Sequence, residues 1–405
     1  MDVDGRPARL HAPAVPATGW LPALRSCALV YLGVRLGLFL VGLLSTAVLP
    51  QNRPVDVPGW PATTPSEGWH AVFTAWERHD ALWYLRIASQ GYRADDGSAA
   101  FFPLYPLLTR GVSVLLGERW LLGAYVVSNV ALVVALTVLH RLTALELDER
   151  RARRTVLYVA VFPTSLFLFA PYTESLFLAL TAGCLYAART RAWLLAGVLG
   201  ALAAATRSAG LLLVLPLAVE ALLQLRESTA PRAQRWRDAA GALAAAAAPA
   251  LGLLAYLAFW AREDTWRRPL DVQGSTWERE WSWPWDTLWA GAREGTRFLG
   301  TYAGGYHTAD LVVVVLALAA AVWVTLTMRA TWAVWCWASL LLPLTAAFDG
   351  RPLLSLPRFV VVVFPLFWAL TALADRWRAH DAVVAASACG LGLMSLLYVS
   401  WYFVF

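Results

Sequence analysis

The sequence contains no lysine, and only 15% of its 405 residues are charged. Soluble domains usually carry charge on about a quarter of their residues. Here 59% of the residues are hydrophobic, and one soluble core stops growing at roughly 250–300 residues. So much apolar side chain cannot all be buried in a soluble globule. The composition therefore predicts an all-α polytopic membrane protein whose main partner is the lipid bilayer.

Lysine is replaced throughout by arginine, which supplies all 33 basic residues and a net charge of +6. The arginines lie largely in short segments between apolar runs, which is the positive-inside pattern of membrane proteins. Because no long soluble basic segment exists, we predict no nucleic-acid partner. Arginine in place of lysine, together with alanine- and leucine-rich stretches, indicates a GC-rich coding bias and therefore a bacterial source.

Cysteine is also scarce. The four residues Cys27, Cys184, Cys336 and Cys389 are scattered, without a CxxC or a Cys/His spacing. This excludes a disulfide framework and a zinc site of the usual patterns. The adjacent acids Asp95–Asp96 lie in a polar stretch and are interpreted as solvated side chains. We predict no metal cofactor.

About 20 apolar residues cross the hydrocarbon layer as a helix. Eleven spans are predicted in a single domain, 24–405, that follows a cytoplasmic tail, 1–23. They lie near 24–48, 120–140, 155–170, 174–188, 192–206, 210–225, 239–261, 310–328, 331–348, 358–375 and 381–403. Arginine clusters at 141–154, 226–237 and 376–378 place the N-terminus inside and the C-terminus outside.

Two long segments, 50–117 and 262–309, then lie outside. Both are rich in tryptophan, which prefers the membrane interface, so interfacial helices on the outer leaflet are expected there. These tryptophans are Trp60, Trp69, Trp76 and Trp83 in the first segment, and Trp266, Trp277, Trp281, Trp283, Trp285 and Trp289 in the second.

The middle spans are short, because about 35 residues serve two crossings in 155–189 and again in 192–225. Each such helix covers only about 24 Å of a core nearer 30 Å. Polar residues at their tips would leave a notch open to the outer leaflet, suitable for a lipid-linked substrate. Local thinning of the bilayer is an equally good explanation.

The first outer segment carries a carboxylate among aromatic residues. If 76–92 is one helix, Trp76, Asp80, Trp83, Tyr84 and Ile87 share a face. Partial desolvation there would make Asp80 a better proton acceptor. The alternative is an interfacial amphipathic helix whose Asp80 only touches water.

Six motifs occur in order along the chain. They are HDALWYLRIASQGY, AAFFPLYPLL, APYTESLF, AAATRSAGLLL, PLDVQGSTWEREWSWPW and LPRFVVVVFPLF. Together they resemble the GPI mannosyltransferase II (PIG-V type) family and its bacterial relatives, which belong to the GT-C glycosyltransferases. The first two motifs are the most specific. His79 departs from the family, which usually has tryptophan before the acidic residue, and this puts the local packing in doubt.

The resemblance implies a fold and an activity. The fold would be a GT-C-like bundle of about eleven transmembrane helices. The activity would be transfer of mannose from polyprenyl-phosphate-mannose to an acceptor hydroxyl at the outer face, with inversion, and with Asp80 at the active site. In a bacterium this places the protein in the plasma membrane. The acceptor stays open between an envelope glycan, a glycolipid and a protein.

A departing phosphate needs a nearby cation, and arginine can engage two phosphate oxygens. The outer-side candidates are Arg358, Arg207, Arg351 and Arg86, with Arg358 favoured because it opens a span and matches the family's last motif. The predicted substrate-binding residues are Arg358, Arg207, Glu174, Tyr172, His79, Trp83, Tyr84, Arg86 and Tyr92.

Glu174 and Arg207 lie at the tips of neighbouring short spans, so they are expected either to pair or to contact substrate. Arg35, inside the first span, is interpreted as a buried polar partner or a snorkelling group. His307 and Asp310 are interpreted as loop residues outside the site.

Two alternatives remain at this point. A transporter or flippase for a lipid-linked sugar could use the same notch, but transporters often show inverted repeats and no duplicate of the short hairpins appears in the C-terminal half. A transferase that uses another polyprenyl-phosphate sugar, such as arabinose or glucose, would share every motif.

Overall fold

A computed structural model describes residues 19–60, 70–301, 304–348, 350–402 and 404. Most of the predicted tail, 1–18, and Trp69 lie outside these residues. The described part contains nineteen α-helices and one two-stranded antiparallel sheet. The all-α prediction is therefore confirmed.

The helices follow one another with short connections. They are α1 Trp20–Val48, α2 Ala71–Thr74, α3 Asp80–Gln90, α4 Leu104–Leu115, α5 Trp120–Glu146, α6 Glu149–Val161, α7 Leu166–Phe169, α8 Glu174–Arg189, α9 Trp193–Thr206, α10 Val214–Glu227, α11 Arg232–Ala247, α12 Pro249–Glu263, α13 Arg268–Ser275, α14 Pro284–Arg297, α15 Gly305–Thr327, α16 Ala330–Leu344, α17 Leu356–Val360, α18 Pro365–Arg376 and α19 His380–Val399. Strands β1 Arg279–Trp281 and β2 Ala346–Phe348 pair with each other. Short 3-10 helices occupy Gly97–Ala100 and Ser208–Leu213.

Six helical stretches in the described residues are long and apolar enough to cross a membrane. They are Trp20–Val48, Trp120–Glu146, Ser208–Glu227, Arg232–Glu263, Gly305–Thr327 and His380–Val399. Every one of the eleven predicted spans falls on a helix or on a broken pair of helices. The number of eleven crossings stays a prediction, because the remaining helices are shorter. The first helix begins at Trp20, within the predicted tail.

The middle helices are short, as predicted. Helix α8 has 16 residues and α9 has 14, which correspond to about 24 and 21 Å. Helix α9 also packs very closely on α12, since a Cβ added to Gly252 would lie 2.0 Å from the Ala201 carbonyl oxygen. Only glycine permits this approach of two backbones.

Charged residues gather at one end of the bundle. Asp375, at the end of α18, binds the guanidinium groups of Arg151 and Arg154 on α6. Nearby helix ends are joined by Glu220, which is fully buried and accepts from Arg189 (3.1 Å) and Arg329 (2.9 Å). The arginine clusters that the sequence placed in the cytoplasm thus include two that meet in space.

The two tryptophan-rich segments behave differently. In the second segment Trp266, Trp281, Trp283, Trp285 and Trp289 are exposed, as an interfacial location requires. In the first segment the expectation is wrong. There, Trp76 and Trp83 are buried inside the protein, because this segment packs into the bundle instead of lying on it.

The fold yields a testable orientation. In a background lacking the exposed Cys389, an impermeant thiol reagent added to intact cells should label a cysteine introduced at the exposed Asp95 and not one at the exposed Thr229. The reason is that Thr229 lies in an arginine-rich segment, which is retained in the cytoplasm. Labelling of the Thr229 variant from outside would overturn the orientation.

Candidate active site

Asp80 is the first residue of α3, and a sharp backbone turn precedes it. His79 has a φ of 52°, a left-handed conformation that is uncommon for residues with a side chain. The helix predicted to include Trp76 therefore starts only at Asp80, and Trp76 instead packs against Gly42 and Tyr398. A carboxylate at a helix N-terminus is favoured by the helix dipole.

Arg358, on α17, connects the two carboxylates of the site. Its Nη1 donates to Asp80 Oδ2 at 2.6 Å, and its Nε donates to Glu174 Oε1. The guanidinium lies over the rings of Tyr172 (4.6 Å) and Phe167 (4.9 Å). Arg358 is buried, whereas the Asp80 side chain keeps 27% of its surface exposed. Thus Asp80 alone of this pair offers an accessible charge to a substrate.

Glu174, the first residue of α8, is fully buried and has a second arginine partner. Arg207 Nη1 donates to Glu174 Oε1 at 2.6 Å and to Thr173 Oγ1 at 3.2 Å. The Arg207 guanidinium also lies 4.9 Å from the centre of the Phe359 ring. The predicted pairing of Glu174 with Arg207 is confirmed, and Arg358 is an additional member that sequence reasoning had not connected to it.

Aromatic side chains wall this cluster. The Tyr84 hydroxyl lies 3.3 Å from Thr173 Oγ1, and the Tyr172 hydroxyl donates to the Arg78 carbonyl at 3.0 Å. Burial, helped by the Glu174 carboxylate, raises the pKa of Tyr84 to about 12, so this phenol stays protonated. Burial lowers the pKa of His79 to about 4. His79 is therefore neutral at pH 7 and packs against Tyr398 and Trp401.

Several predicted residues do not join the cluster. Arg86 is fully buried and pairs with Asp96, so Asp96 is not the solvated side chain that the sequence suggested. Arg351 donates to both carboxylate oxygens of Asp310, at 2.8 and 3.0 Å. Asp310 is therefore a buried helical residue of α15 and not a loop residue.

His307 is likewise buried within α15 rather than in a loop. Tyr92 donates to the Phe101 carbonyl at 2.8 Å and packs on Tyr256, away from the carboxylates. Trp83 lies one turn beyond Asp80 and stacks on Phe101. Arg35 is the buried polar partner that was expected, since it donates to the Phe169 carbonyl at 3.0 Å.

A third arginine of the site was missed. Arg279 lies in the fifth motif, and β1 brings it to the same region. Burial lowers its pKa, the Asp80 carboxylate raises it, and the Arg358 and Arg207 charges lower it. The only signal in the sequence was an arginine in an outer segment, and ten further charged residues in that segment made it inconspicuous.

The cluster has a defined chemical capacity. It holds two carboxylates and three guanidinium groups, a formal charge of +1, beside one accessible carboxylate oxygen. Among the described residues no group of three or more His, Cys, Asp or Glu side chains could hold a metal ion. Such a site can bind an anion and accept a proton next to it.

The profile of a family described as Mannosyltransferase (PIG-V) matches residues 34–242, more than half of the chain. The chain belongs to this family. The matched range includes the positions of Asp80, Glu174 and Arg207, while Arg279 and Arg358 lie beyond it.

Individual relatives are similar over shorter stretches. GPI alpha-1,6-mannosyltransferase 2 of Rattus norvegicus is 36% identical over 155 residues, which are 36% of this chain and 31% of the rat protein. The Mus musculus protein of the same name is 37% identical over 145 residues, 33% of this chain and 29% of the mouse protein. The similarity thus spans about a third of the length of these relatives.

Solved structures show a looser likeness. The Archaeoglobus fulgidus oligosaccharyltransferase is 14% identical with a TM-score of 0.43, over 91% of this chain and 53% of that one. A structure of the same organism's AglB with an inhibitory peptide and a dolichol-phosphate is 13% identical with a TM-score of 0.41, over 92% and 56%.

The cluster predicts the effect of removing its central carboxylate. Glu174→Gln leaves two arginines without a buried counter-charge, and breaking buried pairs costs about 3–5 kcal/mol. Thermal unfolding in detergent should therefore occur at a clearly lower temperature. Glu227→Gln is the matched control, because Glu227 also pairs with an arginine but its side chain is 46% exposed, where a pair contributes about 0–1 kcal/mol. Equal unfolding temperatures for the two variants would contradict the central role of Glu174.

Proposed function

We propose that the protein transfers mannose from polyprenyl-phosphate-mannose to an acceptor hydroxyl, with inversion at the anomeric carbon. Family membership supports the sugar, since the relatives are named as mannosyltransferases. The observation that carries the proposal is the partly exposed carboxylate of Asp80, which is held by Arg358 at the edge of a buried ionic cluster. A proton acceptor lies there beside cations that suit a phosphate.

The proposed location is the outer face of the plasma membrane. Helix α8 runs from Glu174 in the ionic cluster to Arg189 in the arginine-rich end of the bundle, about 24 Å away. Because arginine-rich ends are retained in the cytoplasm, the opposite end and its Asp80 would face outward. A polyprenyl-phosphate donor at that leaflet could reach the site between the short helices.

Asp80 would act as the general base. Arg358 occupies Oδ2, and Oδ1 has no hydrogen-bond partner within the described part of the chain. As the acceptor oxygen forms its bond to the anomeric carbon, its proton would pass to Asp80. The bond between that carbon and the phosphate oxygen breaks, and its electron pair leaves with the polyprenyl phosphate. The carboxylate thus gains the proton that the acceptor loses.

Arginine side chains would stabilise the departing phosphate. A phosphodiester carries one negative charge, and the monoester gains a second as the bond breaks, so fixed cations lower the barrier. Arg358 and Arg207 each direct only part of their five N–H groups at Glu174, Asp80 and Thr173. Their remaining donors are available to phosphate oxygens.

The acceptor would be an envelope glycan, a glycolipid or a protein. The test is to incubate membranes that contain the protein, and membranes from a deletion strain, with radiolabelled polyprenyl-phosphate-mannose. A labelled product formed only in the presence of the protein is expected, and its extraction behaviour separates the three acceptor classes. No difference between the membranes would contradict the function, and labelling only from a glucose or arabinose donor would change the sugar.

Asp80→Asn should abolish most turnover. The amide keeps the size of the side chain and can still contact Arg358, but it cannot accept a proton, so the transfer rate should fall by about 100-fold or more. The rate is measured as labelled product per minute at saturating donor. Asp95→Asn is the control, because Asp95 is exposed in the same outer segment. An active Asp80→Asn enzyme would remove Asp80 from the chemistry.

Transfer should not need a divalent cation. The donor has a single phosphate, and three guanidinium groups supply positive charge near Asp80, so bridging by a metal is unnecessary in this mechanism. Activity of the purified protein should stay within about twofold after treatment with EDTA. A loss that is restored by Mg²⁺ or Mn²⁺ would show that the cation, and not the arginines, supports the leaving group.

A further inference from the structure

Arg279 is held firmly by the small sheet. In the pairing of β1 with β2 it lies opposite Phe348, and its guanidinium lies 5.0 Å from the centre of that ring. Its Nη1 donates to Gln273 Oε1 at 3.0 Å. A neutral amide and an aromatic ring therefore position the side chain without neutralising its charge.

The segment before β1 brings Arg279 to the helix that carries Asp80. Trp277 packs edge-on against Trp83 at 5.8 Å, and its indole N–H donates to the Gly97 carbonyl at 3.2 Å. Trp83 is one helical turn from Asp80, and Arg279 is two residues from Trp277. The Asp80 carboxylate and the Arg358 and Arg207 guanidiniums act electrostatically on Arg279, which is the behaviour of a member of the same cluster.

The charges of the cluster are unequally satisfied. Arg358 is paired with Asp80 and Glu174, and Arg207 with Glu174. Arg279 has no carboxylate within salt-bridge distance among the described residues, and its Nε is buried without an acceptor there. A buried donor without an acceptor is costly, and the excess of one positive charge matches one monoanionic phosphodiester.

We propose that Arg279 binds the phosphate of the lipid-linked donor, as the arginine whose charge no carboxylate neutralises. This rests on the proposed function and names the residue that holds its donor. The guanidinium can offer its Nε and Nη2 hydrogens to two phosphate oxygens. Arg358 then has a double role, because it positions Asp80 and offers only its remaining hydrogens to the same phosphate.

The experiment measures binding of the leaving group, separately from transfer. Wild type, Arg279→Gln, Arg279→Lys and Arg293→Gln are reconstituted in phosphatidylcholine nanodiscs and titrated with polyprenyl phosphate. Uncharged polyprenol is the probe for the chain alone, and inorganic phosphate and phosphatidylglycerol are tested as competitors. Arg293 is the control, since it is an exposed arginine on α14 in the same outer segment.

We expect wild type and Arg293→Gln to bind polyprenyl phosphate equally. Arg279→Gln should bind it about 10-fold or more weakly, which is the effect of losing charge-assisted hydrogen bonds, with binding of polyprenol unchanged. Arg279→Lys should be intermediate, because a point charge cannot engage two oxygens at once. In transfer assays the donor KM of Arg279→Gln should rise more than its kcat falls.

Several results would overturn the assignment. An unchanged affinity of Arg279→Gln would remove Arg279 from the phosphate site while wild-type binding upholds the donor class. A wild type that does not bind polyprenyl phosphate would overturn both proposals. Equal competition by phosphatidylglycerol would make this a general site for anionic lipids. If Arg279→Gln unfolds at a lower temperature, an unchanged affinity of Arg279→Lys overturns the assignment instead.

Discussion

The structure of the site depends on the ion pairs that Arg358 makes with Asp80 and Glu174. Burying an isolated charge among apolar helices costs several kcal/mol, so Glu174 can be fully buried only because Arg358 and Arg207 accompany it. The pairs in turn fix where α8, α9 and α17 end. Asp80 remains partly exposed because Arg358 holds it at the edge of this cluster.

A second ionic network lies at the other end of α8. There Glu220 accepts hydrogen bonds from Arg189, Arg329, Thr331 and Gln224, and its carboxylate is thus as well satisfied as that of Glu174. The two networks differ in one respect. The acceptors around Glu220 balance its donors, whereas the cluster around Asp80 contains one guanidinium more than its carboxylates neutralise. That excess makes one end of the bundle suited to an anionic ligand.

Burial of aromatic residues separates the two outer segments. The first segment is drawn into the bundle, since Trp76 and Trp83 are buried and Trp83 contacts Trp277 of the second segment. The second segment exposes most of its tryptophans and contributes β1 with Arg279. Both segments therefore contribute to one site, and the contact between their tryptophans joins the helix of Asp80 to the strand of Arg279.

Composition alone determined that this is an all-α membrane protein, because so many apolar residues have no other place to be buried. The motifs also identified the family, Asp80, and the pairing of Glu174 with Arg207, since the tips of adjacent short helices are close along the chain. Only the tertiary structure decided which arginines are available. Arg358 reaches Asp80 across 278 residues, while Arg86 and Arg351 are neutralised by Asp96 and Asp310. Ion pairs depend on distance in space, and the sequence order of charged residues does not contain that distance.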